Sequence, residues 1–407
     1  MLKVVLKRLV TQAEKIIKEE QAGFRAGRST TEQIFNLRVL CEKYLQHQQE
    51  LYHVFIDFRK AFDRVWHDAL WATMKLYNID EHLINIIKAL YSKASSAVFH
   101  NKKVGEWFHT TVGVRQGCLL SPTLFNIFLE RIMDEALKDH RGTISVGGRN
   151  ITNLRFADDI DGLAGTEELE RLVNTLDEAV CAFGMEINGS KTKIMTNKPS
   201  GFTKTINING DVIEPVDSFK YLGAILSDEG SKKEVLSRIA QAAATMHRLN
   251  KLWKNKSVKI KFKIRLMRSL VTSILLYACE SWTLTSELEK RINAAEMIQY
   301  RRLLQVQYYH FRSNEDILQQ IENEAGTQER LLNTVKKRKL RWFGHVVRST
   351  GLSKTVLQGT VNGGRKRGRQ KKRWEDNIKE WTGLSLGEAV EKARDRNEWK
   401  LIVCSCT

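Results

Sequence analysis

The chain has 407 residues, which exceeds one ordinary core and predicts two or three domains. Hydrophobic residues make up 42% of it, enough to exclude wholesale disorder. A formal net charge of +19 points to a polyanionic partner, of which nucleic acid is the commonest, with a basic surface kept only for solubility as the plain alternative.

The longest strongly apolar stretch, residues 270–279, is far short of the roughly 20 residues that a membrane helix needs, so no membrane partner is expected. Met1 and Leu2 are followed by Lys3, two valines and more basic residues, which reads as an amphipathic helix and not as a cleavable signal. The six cysteines, at 41, 118, 181, 279, 404 and 406, have no zinc spacing. They read as reduced, mostly buried thiols of an intracellular protein.

Residues 1–50 read as helix, with Ile34, Leu37 and Leu40 at helical spacing after the start signal Ser29-Thr30-Thr31. Residues 51–58 suit a buried strand with Asp57 near its end. Residues 67–93 return to helix, with Asp80 as a cap. Ser121-Pro122 opens a further helix, since the proline's missing N–H has no helical partner in the first turn. Residues 154–163 read as strand, turn, strand around Asp158-Asp159. Thr166 starts an amphipathic helix that Gly184 stops. Residues 185–195 and 206–226 read as hairpins. After about residue 230 the chain becomes helical and basic. Between Lys251 and Arg268 stand eight basic residues and no acidic one, and between Lys336 and Arg373 fourteen and none. The glycine-rich, charged stretch within 359–373 reads as a flexible arm.

Adjacent aspartates between apolar runs are costly unless something positive sits between them. Phe55-Ile56-Asp57-Phe58 and Phe156-Ala157-Asp158-Asp159 bring such carboxylates about a hundred residues apart in sequence. Strand neighbours point to opposite faces, but a hairpin tip relaxes that rule, so both aspartates of the pair can serve one site. Hard divalent ions take carboxylate oxygens. The plain alternative is an Asp-rich turn.

The ordered set of motifs carries more weight than any one of them. Gln21-Ala22-Gly23-Phe24-Arg25-Ala26-Gly27-Arg28-Ser29-Thr30 comes first. Phe55-Ile56-Asp57-Phe58-Arg59-Lys60-Ala61-Phe62-Asp63 and Gly113-Val114-Arg115-Gln116-Gly117-Cys118-Leu119-Leu120-Ser121-Pro122 follow. Phe156-Ala157-Asp158-Asp159, Gly184-Met185-Glu186-Ile187-Asn188-Gly189-Ser190-Lys191-Thr192-Lys193 and Phe219-Lys220-Tyr221-Leu222-Gly223 complete the series. In this order they closely resemble the reverse transcriptase of non-LTR, LINE-like retrotransposons, over roughly residues 20–226.

The resemblance implies an α+β right-hand polymerase with an antiparallel palm sheet. Fingers and palm would span 1–226, a helical thumb 227–310, and a basic helical nucleic-acid-binding region 311–407. It implies an RNA-directed DNA polymerase working with two Mg2+ ions, for which Mn2+ substitutes. RNA template, DNA primer or target DNA, and dNTPs would be its partners, and the nucleus its place of work. Asp57, Asp158 and Asp159 would hold the metals, with the Phe58 carbonyl as a further ligand. Lys191 would protonate the pyrophosphate leaving group. Phe62 would exclude a 2′-hydroxyl, with a core aromatic as the alternative. Arg115, Gln116, Gly117 and Arg25 would meet nucleotide or template. Tyr221, Leu222 and Gly223 would hold the primer end, and Asp63 and Asp161 read as structural or solvated.

Residues 227–400 also resemble the C-terminal part of some of these elements. Arg365, Lys366, Arg367, Arg369, Lys371, Lys372 and Arg373 would form a phosphate-binding tail. Arg367-Gly368-Arg369 is similar to an AT-hook core, but Gln370 stands where that motif has proline. Trp374 and Trp381 are expected to pack a small helical core, with base stacking as the alternative. Relatives of this class carry an endonuclease ahead of the polymerase, and the first strand of the fingers has no counterpart here. A truncated copy is therefore expected, and a remnant that binds nucleic acid without copying it is the second reading.

Overall fold

The computed structural model describes residues 2–140, 142–165, 167–197, 206–208, 210–227, 229–364 and 371–406. Helices α1 (Leu2–Ala13) and α2 (Thr30–Gln46) precede strand β1 (Tyr52–Ile56). Helices α3 (His67–Leu76) and α4 (Glu81–Tyr91), the hairpin β2 (Ser95–His100) and β3 (Lys103–His109), and α5 (Ser121–Ala136) follow. Then come β4 (Asn153–Phe156), β5 (Asp159–Ala164), α6 (Leu169–Ala182), β6 (Lys193–Thr196) and β7 (Glu214–Pro215). The hairpin β8 (Ser218–Tyr221) and β9 (Ala224–Ser227) leads into α7 (Lys232–Arg248) and a helical remainder.

Two units divide the described chain. The first holds residues 1–33, 49–217 and 360–362. Its five-stranded sheet has the order β7-β6-β1-β5-β4, antiparallel throughout except that β7 runs parallel to β6. Strand β1 lies between two partners and is buried at every residue, so its sequence is apolar on both faces, with His53 the polar exception. Helix α5 packs against α1, α3 and α6. Leu124, Phe125, Ile127, Phe128 and Leu129 are all fully buried, which explains an apolar run with no polar face.

Several sequence expectations hold here. Asp80 caps α4 by accepting the Leu83 N–H at 2.9 Å, and Ser29 Oγ accepts the Glu32 N–H at 3.2 Å beside α2. Others change. Residues 14–29 are not helical, because Gln21 pairs with Arg155 of β4 and the Ala22 N–H bonds the Arg155 carbonyl at 2.8 Å. Ser121 is the first residue of α5 and not its cap; its hydroxyl donates to the Arg115 carbonyl at 2.6 Å. Residues 185–195 form no hairpin: Ile187 bridges to Phe58, and β6 joins the main sheet. The expected start of α6 at Thr166 lies outside the described residues, whereas Gly184, with φ +74°, follows the helix end as expected.

The second unit holds residues 34–48, 218–359 and 363–407. This grouping differs from the expected borders at 226 and 310, for three reasons. Arg38 of α2 donates to the Ile225 carbonyl and to Ser231 Oγ, and Glu234 accepts the Ile225 N–H, so the β8–β9 hairpin belongs with α7. Phe35 packs its ring against Trp342 and Trp374, at 5.8 and 4.9 Å between centroids. Lys339, fully buried, donates to the Trp282 carbonyl at 2.7 Å and to Asn377 Oδ1 at 2.9 Å, which joins the expected thumb to the expected tail region. Burial holds the Lys339 amine well below its ordinary range, opposed by the Glu42 carboxylate.

The tail therefore differs in part from a free arm. Arg365, Lys366, Arg367 and Arg369 lie outside the described residues. Lys372 pairs with Glu380, and Arg373 pairs with Glu375 and Asp376 at the start of helix Trp374–Thr382. Trp374 is buried and donates to the Glu280 carbonyl, so it is a core residue and stacks on no base. Among the described residues no disulfide forms, and no helix is long and apolar enough to cross a membrane.

Candidate active site

Asp57 leaves the end of β1, and Asp158-Asp159 form the turn from β4 into β5. The last paired residues of β1 and β5 are Ile56 and Ile160, the chain neighbours of Asp57 and Asp159. Pairing of two buried strands thus sets all three carboxylates at one sheet edge. The segment 184–193 lies along the other side of Asp57. The Asn188 N–H donates to the Asp57 carbonyl at 2.7 Å, and the Asp57 N–H reaches Thr192 Oγ1 at 3.4 Å. Arg59 and Arg64 both pair with Glu186.

A clamp that sequence reasoning missed holds the aspartate turn. Gln21 is fully buried, and its Oε1 accepts the N–H groups of Ala157 and Gly23, each at 2.8 Å. Its Nε2 donates to the Ala157 carbonyl at 3.2 Å. Ala157 sits at φ +58°, a left-handed conformation that costs a non-glycine residue energy unless its surroundings fix it. Gly23 is pressed against the same turn; a Cβ there would meet the Ala157 nitrogen at 2.2 Å. Asn126 of α5 closes the assembly by donating to the Gly23 carbonyl at 2.8 Å. Beneath β4, Arg155 and Glu130 form a buried pair at 3.1 Å, both 1% exposed. The signal for the clamp was the polar Gln21 directly before Ala22-Gly23-Phe24, but its partner lies far off in sequence.

Two of the three carboxylates are raised by their surroundings. Burial lifts Asp158 above the ordinary carboxylate range, a backbone hydrogen bond opposes this, and Asp57 adds to it. The Asp159 carboxyl is pushed up to about 6, first by the protein packed around it, then by Asp158 and Asp57. Asp57 Oδ2 is buried with no hydrogen-bond partner and faces Lys191 Nζ at 3.6 Å. Among the described residues no three His, Cys, Asp or Glu side chains converge as a ligand set. The three expected metal residues share one end of the paired strands without forming such a set. An orphaned carboxylate oxygen and two carboxyls with raised proton affinity nonetheless fit a divalent cation, which hard oxygen donors of this kind bind.

Phe62 stacks on Phe125 at 4.5 Å and meets Phe24 edge-on at 6.3 Å. It is partly buried, so one edge remains open. Gln116 Nε2 donates to Asp63 Oδ1 at 3.2 Å, and Arg115 donates to the Leu90 carbonyl and lies over the Tyr91 ring. Gly117, at φ +82°, has open space where a side chain would stand. Phe58 is buried, its backbone bridged to Ile187. Arg25 departs from its expected role. Its guanidinium is taken up by Glu14 and by the Lys18 and Gln21 carbonyls, so it braces the 14–29 loop. Asp161 is buried against His53 at 3.0 Å, a structural residue as read. Tyr221, Leu222 and Gly223 lie in the second unit, where Tyr277 Oη donates to the Leu222 carbonyl at 2.6 Å and Arg238 donates to that of Gly223.

A carboxylate at the end of a buried strand and two more on the adjoining hairpin turn define the palm of a right-hand polymerase, α+β in build. The reverse transcriptase (RNA-dependent DNA polymerase) family matches residues 1–226, more than half of the chain, and the chain belongs to that family. A transposon-derived protein of Caenorhabditis elegans is 30% identical over 271 residues, covering 63% of this chain and 97% of that one. The RNA-directed DNA polymerase of the mobile element jockey from Drosophila funebris is 24% identical over 324 residues, covering 75% of this chain. The chain spans 34% of that relative's length. A solved telomerase of Candida tropicalis aligns at 13% identity and TM-score 0.42, over 88% of this chain and 56% of that one.

Two outcomes follow from the clamp and the carboxylates. Gln21→Ala strips buried N–H groups of Ala157 and Gly23 of their acceptor, at about 1–3 kcal/mol for each unsatisfied group. Denaturant unfolding is expected to show that loss, and Mn2+ affinity to fall with it, while Arg25→Ala leaves Mn2+ affinity unchanged. The second outcome concerns pH. A carboxyl raised in the folded state favours the protonated form, so it lowers stability as pH rises from its ordinary range through about 6. In chelator, Asp159→Asn is expected to remove that part of the fall, seen as a variant whose advantage grows across this window.

Proposed function

We propose that this chain catalyses RNA-directed DNA synthesis as the polymerase of a non-LTR retrotransposon, extending a primer 3′ hydroxyl with dNTPs. The observation that carries the reading is the corner shared by Asp57, Asp158 and Asp159 at one end of the paired strands, where burial and the neighbouring aspartates raise Asp158 and Asp159. Two Mg2+ ions, with Mn2+ as a substitute, are the cations assigned to it; when bound they supply Lewis acidity to the attacking oxygen and the triphosphate. The 3′ hydroxyl gives up its proton to solvent as its oxygen bonds to the α-phosphorus, and the bond from that phosphorus to the bridging oxygen of the β-phosphate breaks. Lys191, exposed beside Asp57, supplies a proton to the departing pyrophosphate. Phe62, backed by Phe125, stands against the sugar and excludes a 2′-hydroxyl. Gly117 lets the backbone approach the nucleotide. Gln116 exchanges its bond to Asp63 for one to the substrate.

Nucleic-acid grip falls to the stretch from Lys251 to Arg268. Lys263 is buried and donates to the Trp253 carbonyl. The other seven basic side chains of that stretch are exposed, and none is in an ion pair among the described residues. Such unneutralised cations suit a phosphate backbone. Tyr221, Leu222 and Gly223 are proposed to hold the primer end.

Primer extension on a primed RNA template tests this reading. Wild-type chain is expected to extend, and Asp158→Ala to lose extension by at least about a thousandfold while keeping RNA affinity. Tight RNA binding with no extension by either protein would make the chain a remnant that binds without copying. Phe62→Ala is expected to raise ribonucleotide incorporation relative to deoxynucleotide, measured as the ratio of the two kcat/KM values; an unchanged ratio would make Phe62 a core aromatic only.

A further inference from the structure

The hairpin of β2 and β3 has an unusual surface for a folded polymerase domain. Every residue of β3 is exposed, and in β2 only Ala97 is half-covered. A two-stranded hairpin with neither face packed is marginal alone in water. The ladder pairs Ala97 with Trp107 and Phe99 with Val104, across a bulge at Ala97–Phe99. These cross-strand pairs place Phe99, Val104 and Trp107 on one face, at 70%, 60% and 69% exposure. Val98 and Phe108 are exposed as well.

The charges around this stripe are one-sided. Lys93, Lys102 and Lys103 are exposed, with His100 and His109 beside them, and Glu106 is the one acidic residue from 93 to 109. None of the three lysines is in an ion pair among the described residues. Large rings open to solvent, edged by unneutralised cations, match the chemistry of single-stranded nucleic acid: bases stack on the rings and phosphates meet the ammonium groups. A second protein copy would bring the same positive charge against itself.

The hairpin is also tied to the nucleotide-facing residues within the same unit. At its base the Thr110 N–H bonds the Ala94 carbonyl at 3.1 Å, and Val112 then bridges to Trp66. The Gly113 and Val114 N–H groups bond the Val65 and Phe62 carbonyls, each at 2.8 Å. Trp66 and Val112 are themselves 46% and 50% exposed, so open apolar surface continues from the hairpin base to the segment carrying Phe62.

We propose that the β2–β3 hairpin is a stacking surface for the unpaired part of the nucleic-acid substrate, with Phe99 and Trp107 taking bases and Lys102 and Lys103 taking phosphates. The proposal rests on the reading that the chain copies nucleic acid. It adds to that reading a binding surface outside the carboxylate corner.

The test uses the full chain and labelled duplexes that are either blunt or carry a single-stranded overhang, without nucleotides. Fluorescence anisotropy is expected to show tighter binding to the overhang. The variant Phe99→Ser/Trp107→Ser is expected to lose about tenfold or more of overhang affinity and to leave blunt-duplex affinity unchanged. Lys102→Ala/Lys103→Ala is expected to reduce the slope of log affinity against log salt by up to about 2. RNA and DNA overhangs, run in parallel, tell a template strand from a target strand by which one loses affinity. Overhang affinity that stays unchanged in the ring variant overturns the proposal. So does a wild-type dimer that the ring variant converts to monomer with overhang affinity intact, which would make the stripe a contact between copies. Because these readouts need no catalysis, they fail separately from the extension assay with Asp158→Ala.

Discussion

One side-chain amide supports the catalytic corner. The Gln21 amide holds the N–H and the carbonyl of Ala157, at the point where the chain takes a left-handed backbone conformation between Phe156 and Asp158. A buried peptide group without partners costs about as much as a lost hydrogen bond, and the turn leaves both groups of Ala157 without strand partners. The amide matches both at once. It also takes the Gly23 N–H, so the loop that delivers Gln21 is fixed by the same group. The close approach of Gly23 and the bond from Asn126 then follow as the conditions under which that loop fits.

On this support the molecule places like charges together. Burial and the neighbouring aspartates raise the proton affinity of Asp158 and Asp159, and Lys191 is the cation that Asp57 meets. Elsewhere, two buried arginines are met by carboxylates. Arg155 lies on Glu130, and Arg238 on Glu234. An unbonded buried atom does not by itself separate site from scaffold, since Arg155 Nε and Nη1 also lack partners; the carboxylate corner is set apart by three like charges with Lys191 beside Asp57.

The second unit shows why net charge alone does not locate a binding surface. Lys339 is buried among Trp282, Trp374, Trp381 and Asn377, and Arg373 is spent on Glu375 and Asp376. Both stand in the most basic stretch of the sequence. The stretch from Lys251 to Arg268 is shorter but turns its cations outward. Arg373 meets acidic residues two and three positions on, at the start of the following helix, whereas Lys339 meets oxygens of segments distant in sequence.

Local sequence determined β1, the turn at Asp158 and the cap of α4, because each depends on a short apolar run, a hairpin tip or one side chain reaching its own helix. Six motifs in a fixed order also determined the family to which the chain belongs. Tertiary structure alone decided the partners. Gln21 meets Ala157 and Arg25 is absorbed by Glu14. β7 joins β6 in parallel, and Trp374 packs on Phe35. A hydrogen bond or ring contact between distant segments leaves no periodicity in the chain, so it becomes visible only when the fold has brought the two segments together.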